Sequence, residues 1–254
     1  MTQKSSPLVS IIIPVYNMQQ FLKETLDSVL ASDYPNLEVI VMNDGSTDNS
    51  LKIAQEYTSR DHRVKAYTQP NAGVCAARNN AIKLAQGEYI LPVDSDDKIS
   101  PEFITNAVGK FKKDNDVKVV YSRAEFFGNR TGEWKLHDFS INLLAHKNFI
   151  PISALYRKSD WEKAGGYCEE IIAREDWDFW ISILKNGGKA VKLPQISLYY
   201  RFRQNSKRVS DRQLKRHVID SLNRRHPEFF KRELGGPLRY HRSWSRLINL
   251  LTKW

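Results

Sequence analysis

The sequence predicts an α/β fold: a mixed sheet flanked by helices, its first half parallel and doubly wound, followed by a basic helical tail. Three observations carry this. Short, predominantly apolar, β-branched runs alternate with stretches of helical period three times in the first 95 residues, the pattern of βαβ units with right-handed crossovers. After residue 100 that alternation gives way to hairpin signals, so a mixed half follows the parallel one. The last 54 of 254 residues hold 15 Lys+Arg and 4 Asp+Glu, a net of +11, so the formal charge of +10 comes from a basic tail on a body of net −1.

Residues 8–13 (LVSIII) read as a strand buried on both faces, ended by Pro14. Phe21, Leu22, Leu26, Val29 and Leu30 recur at helical spacing within 19–31. Residues 37–42 (LEVIVM) form the second strand. The cluster from Asn43 to Asp48 marks a turn and supplies helix caps, and Leu51, Ile53, Ala54 and Tyr57 continue as a helix. A third strand is expected over 64–67 and an alanine-rich helix over 74–85, closed by Gly87, with Cys75 in its core face. Residues 88–93 (EYILPV) form the fourth strand. Then come a helix over 101–113 with Phe103, Ile104, Ala107, Val108 and Phe111 inward, a strand over 117–121, and a hairpin over 126–135 marked by Gly128-Asn129 and Thr131-Gly132. A strand over 152–156, a helix over 176–185 stopped by Gly187-Gly188, and two short strands over 191–193 and 198–202 complete the body. The expected organisation is a first half-domain over 1–100, a second half of the same domain over 101–206, and an extension over 207–254.

Several classes are excluded. No GxGxxG follows the first strand and no GxxxxGK[ST] occurs, so the dinucleotide fingerprint and the Walker phosphate loop are absent. No run approaches the roughly 18 apolar residues of a membrane span. Residues 1–6 lack a secretory apolar region. Two cysteines make no disulfide framework, and a reducing cytosol is the default expectation. The six histidines show no HExxH-like spacing.

Ligands of such sheets sit beyond the carboxyl ends of the strands, where Pro14-Val15-Tyr16-Asn17, Asn43-Asp44-Gly45-Ser46, Pro70-Asn71-Ala72-Gly73 and Asp94-Ser95-Asp96-Asp97 fall. Three carboxylates within four residues repel one another unless a cation neutralises them. Their i, i+2 spacing suits Mg²⁺ or Mn²⁺ bridging substrate phosphates, or else a solvated, helix-capping turn. Asp44 reads either as an acceptor for a base or ribose or as an Asx-turn. Glu175 and Asp176 open an aromatic-rich helix, either as dipole-stabilised carboxylates or as a general base beside an acceptor pocket.

Taken together, the Ile11–Asn17 run, Val41–Asp48, Asn71-Ala72-Gly73 with Ala77-Arg78-Asn79, Gly87–Asp97, and Gly165-Gly166-Tyr167 followed by Arg174-Glu175-Asp176-Trp177 resemble glycosyltransferase family 2 over about residues 8–205. The resemblance implies a GT-A fold and inverting sugar transfer from a nucleotide-diphosphate donor with a divalent metal, Mg²⁺ or Mn²⁺. It implies that Pro14, Val15, Tyr16 and Asn17 lie beneath the nucleotide, and that Asp44 bonds the base, usually uracil. Arg78 and Asn79 would support the nucleotide-side loop. Asp94 and Asp96, with Ser95 between them, would bind ribose and metal-held diphosphate, with Asp97 as a further metal ligand. Asp176 would be the base, beside Glu175. The run Tyr200-Arg201-Phe202-Arg203-Gln204-Asn205-Ser206 carries Arg203 where members often have a histidine. Arginine holds phosphate rather than metal, so Arg203 is expected on the diphosphate. Gln213-Leu214-Lys215-Arg216-His217 departs from the Gln-x-x-Arg-Trp of processive members, so transfer of a single sugar is expected, onto a cell-surface glycan or glycolipid acceptor.

In the tail, Leu214, Val218 and Leu222, and then Trp244, Leu247, Ile248, Leu251 and Trp254, fall on helical faces flanked by Arg and Lys. Such helices either lie on an anionic membrane or pack on the body or a partner subunit. The expected location is therefore cytoplasmic, with the inner membrane face and a homo-oligomer left open. No nucleic-acid partner is expected, because no recognised module accompanies the basic charge. Two rival readings stand beside transfer: a non-catalytic nucleotide-sugar or nucleic-acid binder using the tail, and a nucleotidyltransferase, which lacks its expected activating loop here.

Overall fold

The computed structural model describes residues 6–203 and 214–252. Gln204, Asn205, Ser206, Arg212, Gln213, Lys253 and Trp254 of the runs above lie outside the described residues.

The described residues form one nine-stranded sheet. Its strands are β1 (Val9–Val15), β2 (Leu37–Asp44), β3 (Val64–Gln69), β4 (Tyr89–Pro92), β5 (Lys98–Ile99), β6 (Val117–Gly128), β7 (Gly132–Trp134), β8 (Leu155–Arg157) and β9 (Lys189–Phe202). Their order is β3-β2-β1-β4-β8-β6-β9-β5, with β7 paired to β6. The first four are parallel; β8 runs antiparallel to both β4 and β6. The parallel and mixed halves expected from the sequence therefore share one sheet.

The helices are α1 (Leu22–Leu30), α2 (Ser50–Arg60), α3 (Val74–Leu84), α4 (Phe103–Lys113), α5 (Ile141–His146), α6 (Lys158–Ala164), α7 (Glu175–Leu184), α8 (Lys215–Arg225), α9 (Pro227–Leu234) and α10 (Ser245–Thr252). Two apolar layers cover the sheet. Ile11 and Ile13 of β1 pack with α1 and α4 residues on one face, and Ile12 packs with α3 and α7 residues on the other. Burial on both faces is why LVSIII shows no alternation.

Two strand expectations need correction. Pro14 does not end β1, which continues to Val15 in register with β2. Ile12 O accepts a bond from Val93 N on the β4 side, and two residues on, Pro14 faces that side where the β1–β4 pairing has stopped. Its missing N–H therefore breaks no ladder bond. The two short strands over 191–193 and 198–202 are a single strand, β9. The β6–β9 register slips between the Ser122 and Arg123 pairings, a bulge that accommodates the interruption at Pro194-Gln195.

The tail divides. In α8 and α9, Val218, Ile219, Leu222, Phe229, Phe230 and Leu234 are buried in the same apolar cluster as Trp177 and Trp180, so these helices pack on the body. Helix α10 is inverted. Ser245 and Asn249 are buried, whereas Leu250 and Leu251 are each 75% exposed. Asn249 Nδ2 donates to Leu234 O (3.1 Å) and Pro237 O (3.0 Å), so polar bonds hold its inner face.

Candidate active site

Parallel strands bring their carboxyl ends to one edge, and there the chain forms a cleft of about 390 Å³ lined by Pro14, Val15, Tyr16, Asp44, Asp94, Ser95, Asp96 and Arg203, among others. The loops around it are fixed by polar bonds. Asn17 adopts a left-handed conformation (φ 54°). Its Oδ1 accepts from Thr47 N (2.9 Å), tying the β1 loop to the β2 loop. The Asp44 carboxylate accepts from Gln69 Nε2 (2.8 Å), Ala72 N (2.8 Å) and Gly73 N (2.9 Å). Asn43, not Asp44, makes the Asx-type contact, accepting from Ser46 N (3.3 Å). Gly45 (φ +70°) lets this turn approach the Asn71 loop: a Cβ there would stand 2.8 Å from Asn71 N.

The three clustered aspartates take different environments. Asp94 is the most accessible, its side chain 32% exposed. Asp96 pairs with Arg203 Nη2 at 2.8 Å. Burial, and then the charge of Asp94, raise its pKa against the pull of Arg203. Asp97 is buried; its Oδ1 accepts from Arg201 N of β9 (2.8 Å), and among the described residues Oδ2 has no partner. Burial and its two acidic neighbours push Asp97 well above the usual carboxylate range. The bond from Arg201 N ties this loop to β9.

Arg78, buried on α3, joins the two halves of the site. Nη2 donates to Asp94 Oδ1 (2.7 Å) and Nη1 to Glu175 Oε1 (3.0 Å). Burial opposes its charge, but the two carboxylates outweigh burial and raise its pKa. A planar, forked guanidinium spans two acids in a way an ammonium does not. Beyond it a second cleft of about 290 Å³ opens, lined by Arg78, Asp94, Trp134, Lys147, Asn148, Arg174, Glu175, Asp176 and Tyr200, among others. The two clefts share Arg78, Asp94 and Glu175.

Asp176 sits in the first turn of α7, facing the second cleft. Oδ2 accepts from Asn148 Nδ2 (2.6 Å) and Oδ1 from Trp177 N (2.9 Å). Burial, followed by the charge of Glu175, raises its pKa to about 6. Arg174 before it is left-handed (φ 60°), which turns the chain sharply into α7. Asp178, one helical step deeper, holds the tail: it accepts from Arg225 Nε (2.7 Å) and His226 Nε2 (2.8 Å). Burial works against its ionisation, but these two partners hold its pKa below the ordinary value.

Of the residues expected in the site, Pro14, Val15, Tyr16, Asp44, Arg78, Asp94, Ser95, Asp96 and Arg203 line the first cleft, and Glu175 and Asp176 the second. Asn17 and Asn79 line neither. Asn79 instead donates to Tyr167 O (2.8 Å) and accepts from Tyr167 N (2.9 Å), pinning the Gly165-Gly166-Tyr167 loop. These bonds tie α3 to that loop. Gly166 permits the contact, since a Cβ there would lie 2.9 Å from Asn79 Oδ1. Asn148 carries no signal in the sequence, because the loop that bears it has no period or motif, and Trp134 lies in the expected hairpin with nothing in the hairpin signals to mark it as a cleft residue.

Among the described residues, no three His, Cys, Asp or Glu side chains converge as a ready-made metal site. The hard oxygens of Asp94 and Asp96 nonetheless fit Mg²⁺ or Mn²⁺, which bind through one or two carboxylates together with waters and substrate phosphates.

Comparison with known proteins agrees with this architecture. The model of glycosyl transferase family 2 matches residues 10–178. TuaG of Bacillus subtilis, provisionally named a teichuronic acid biosynthesis glycosyltransferase, is 32% identical over 221 residues, 79% of this chain and 81% of TuaG. By contrast, the chain spans only 14%, 28% and 19% of the length of three other curated relatives. The structure of S. aureus TarS 1–349 in complex with UDP-GlcNAc aligns with a TM-score of 0.72 at 22% identity, over 96% of this chain and 75% of that one. The mannosyltransferase PcManGT from Pyrobaculum calidifontis, in complex with GDP-Man and Mn²⁺, aligns with a TM-score of 0.69 at 20% identity, over 98% of this chain and 74% of that one. These alignments establish the GT-A fold expected from the sequence, and with the family match over two-thirds of the chain they make it a member of glycosyl transferase family 2.

Proposed function

We propose that this chain transfers one sugar, with inversion, from a nucleotide-diphosphate donor, most simply a UDP-sugar, to a hydroxyl of a cell-surface glycan. The observation that carries the proposal is the meeting of two clefts at Asp94, Arg78 and Glu175, with Asp176 on the far side. A donor in the first cleft and an acceptor in the second would bring their reacting atoms together there. The complex of TarS with UDP-GlcNAc and that of PcManGT with GDP-Man and Mn²⁺ support a nucleotide-sugar donor.

In this reading Tyr16, 48% exposed, offers its ring to the base. Asp44 accepts from the base edge while holding the Asn71–Gly73 loop. Asp94 and Asp96 hold a divalent cation, which when bound neutralises charge on the leaving diphosphate. Arg203, released from Asp96, reaches a phosphate oxygen. Asp176 takes the acceptor proton as the hydroxyl oxygen bonds to the anomeric carbon; the bond from that carbon to the diphosphate oxygen breaks, and the nucleoside diphosphate leaves. A pKa near 6 keeps this base ionised at neutral pH and still basic enough to act. Direct displacement from the face opposite the leaving group inverts the anomeric centre.

The proposal places the enzyme on the cytoplasmic side, with a peripheral contact on anionic lipid. No helix among the described residues is long and apolar enough to cross a membrane. The outward leucines of α10 and nearby exposed Trp244 and Arg246 favour an interfacial contact.

A panel of UDP- and GDP-sugars incubated with the protein and Mn²⁺ tests the transfer, read as release of nucleoside diphosphate. Binding of one donor and its slow hydrolysis are expected. If no donor binds across the panel, the proposal fails.

A further inference from the structure

Each of the two carboxylates suited to a divalent cation already holds a guanidinium. Arg78 Nη2 lies 2.7 Å from Asp94 Oδ1, and Arg203 Nη2 lies 2.8 Å from Asp96 Oδ2. A dication drawn to both carboxylates is repelled by both arginines at this range, so its binding favours departure of the less firmly held one.

The two are held unequally. The Arg78 side chain is 3% exposed; it also pairs with Glu175 Oε1 at 3.0 Å and lies 5.5 Å from the Tyr167 ring centroid. Its departure would strand two carboxylates. Arg203 follows the end of β9, its side chain is 32% exposed, and among the described residues Asp96 is its one carboxylate partner. Its Nε is buried with no hydrogen-bond partner among the described residues, a spare donor of the kind a phosphate oxygen satisfies. The loop itself is anchored independently. Arg201 Nε donates to Asp96 O (2.9 Å), and Arg201 Nη2 pairs with Glu24, so the Asp96 backbone stays in place when Arg203 leaves.

Charge sets the direction of the effect. Four carboxylates, Asp44, Asp94, Asp96 and Glu175, line the first cleft with two guanidiniums, Arg78 and Arg203. Loss of the Arg203 charge makes the cleft more attractive to a cation and less attractive to a diphosphate.

From this we infer that Arg203 is an exchangeable counter-cation: it neutralises Asp96 until a divalent cation displaces it, and the released guanidinium then binds the donor diphosphate. Arg203 therefore opposes metal binding to the nucleotide-free cleft and favours donor binding to the metal-loaded one. A metal ligand at position 203 would have the opposite sign, since its removal weakens the metal. The inference rests on reading Asp94 and Asp96 as the metal pair and the first cleft as the donor site.

Mn²⁺ alone, titrated into the full chain without nucleotide and followed by loss of its free electron paramagnetic resonance signal, tests the first half. Arg203→Ala should bind Mn²⁺ about tenfold more tightly than wild type, a gain that general destabilisation does not produce. Arg203→Lys, which keeps the charge, should stay near wild type. In an Asp96→Asn background, Arg203→Ala should leave Mn²⁺ affinity unaltered. Calorimetric titration of UDP into Mn²⁺-saturated protein tests the second half. Arg203→Ala should lose about tenfold, and Arg203→Lys should recover only part of it, because an ammonium lacks the guanidinium fork. Thermal melts establish that each variant is folded, and Arg203→Gln serves as a second neutral variant. Mn²⁺ binding by Arg203→Ala that equals wild type or is weaker overturns the inference and leaves the metal pair standing. If neither wild type nor Arg203→Ala binds Mn²⁺, the metal pair fails and the inference with it. Failure of wild type to bind UDP counts against the transferase reading and leaves the Mn²⁺ comparison standing.

Discussion

Replacing Asp176 with Asn should abolish turnover and stabilise the protein, two effects that a merely structural aspartate would not combine. Its carboxyl is raised from 3.8 to about 6, so the folded state holds the ionised form at a cost. Each tenfold change in proton affinity corresponds to about 1.4 kcal/mol, which gives a ceiling of about 3 kcal/mol at pH 7. Partial exposure reduces this to roughly 1–2 kcal/mol. For a chain of this length that is a rise in Tm of about 3–6 °C. Between the unfolded and folded pKa the native state holds more protons than the unfolded state, so wild-type stability declines as pH rises through about 4 to 6. The gain from Asn should therefore be full above pH 6 and fade toward pH 4. Asn preserves the shape and can still meet Asn148. Turnover should fall by about 10²–10⁴-fold, the usual worth of a general base, with donor affinity unchanged. Thermal melts across pH 4–8 and initial rates of diphosphate release measure both. A variant less stable than wild type at pH 7, or one with wild-type turnover, refutes the reasoning.

Arg78→Met leaves Asp94 and Glu175 without their shared countercharge; a loss of about 3–5 kcal/mol should appear in urea denaturation, and Arg78→Lys should recover only part of it. Asp178→Ala strips Arg225 and His226 of their partner, so limited proteolysis should cut near α8 faster than in wild type. Because its pKa is depressed, the stabilisation by Asp178 is present above the unfolded value and disappears as pH falls through the folded one, a loss the variant should not show. Gly45→Ala forces a left-handed alanine against Asn71, at a cost of about 1–2 kcal/mol, and should raise the donor KM more than it lowers kcat. Leu250→Glu/Leu251→Glu should abolish sedimentation with anionic vesicles and leave donor hydrolysis intact; unchanged sedimentation would remove α10 from the membrane contact.

The first cleft was legible from sequence because its residues follow the strands directly. A buried parallel strand is a continuous apolar run, and the residues after it must form the loop at its carboxyl end. Asp44 and Asp94 were therefore placed correctly relative to the sheet before any contact was known. The second cleft was less legible. Asn148 reaches Asp176 from a loop with no periodic signal, and Asn79, adjacent to Arg78 on α3, points to the opposite partner. Neighbours on a helix diverge by about 100°, so motif membership did not fix which asparagine or arginine faces the ligand.

The tail shows the same division. Its basic charge and amphipathic spacing are properties of the sequence alone. Which face turns inward is not, because that depends on what the helix meets: α8 finds apolar surface beside Trp180 and buries its Val218 and Leu222, while α10 meets backbone carbonyls of Leu234 and Pro237 and buries Asn249 instead. Hydrophobic period, strand order in the chain and the clustering of carboxylates are local, so the sequence determined them. The bridge from Asp94 through Arg78 to Glu175 joins residues up to 97 positions apart. Only closure of the sheet decided it, because burial strengthens an ion pair only after distant segments have excluded water from it.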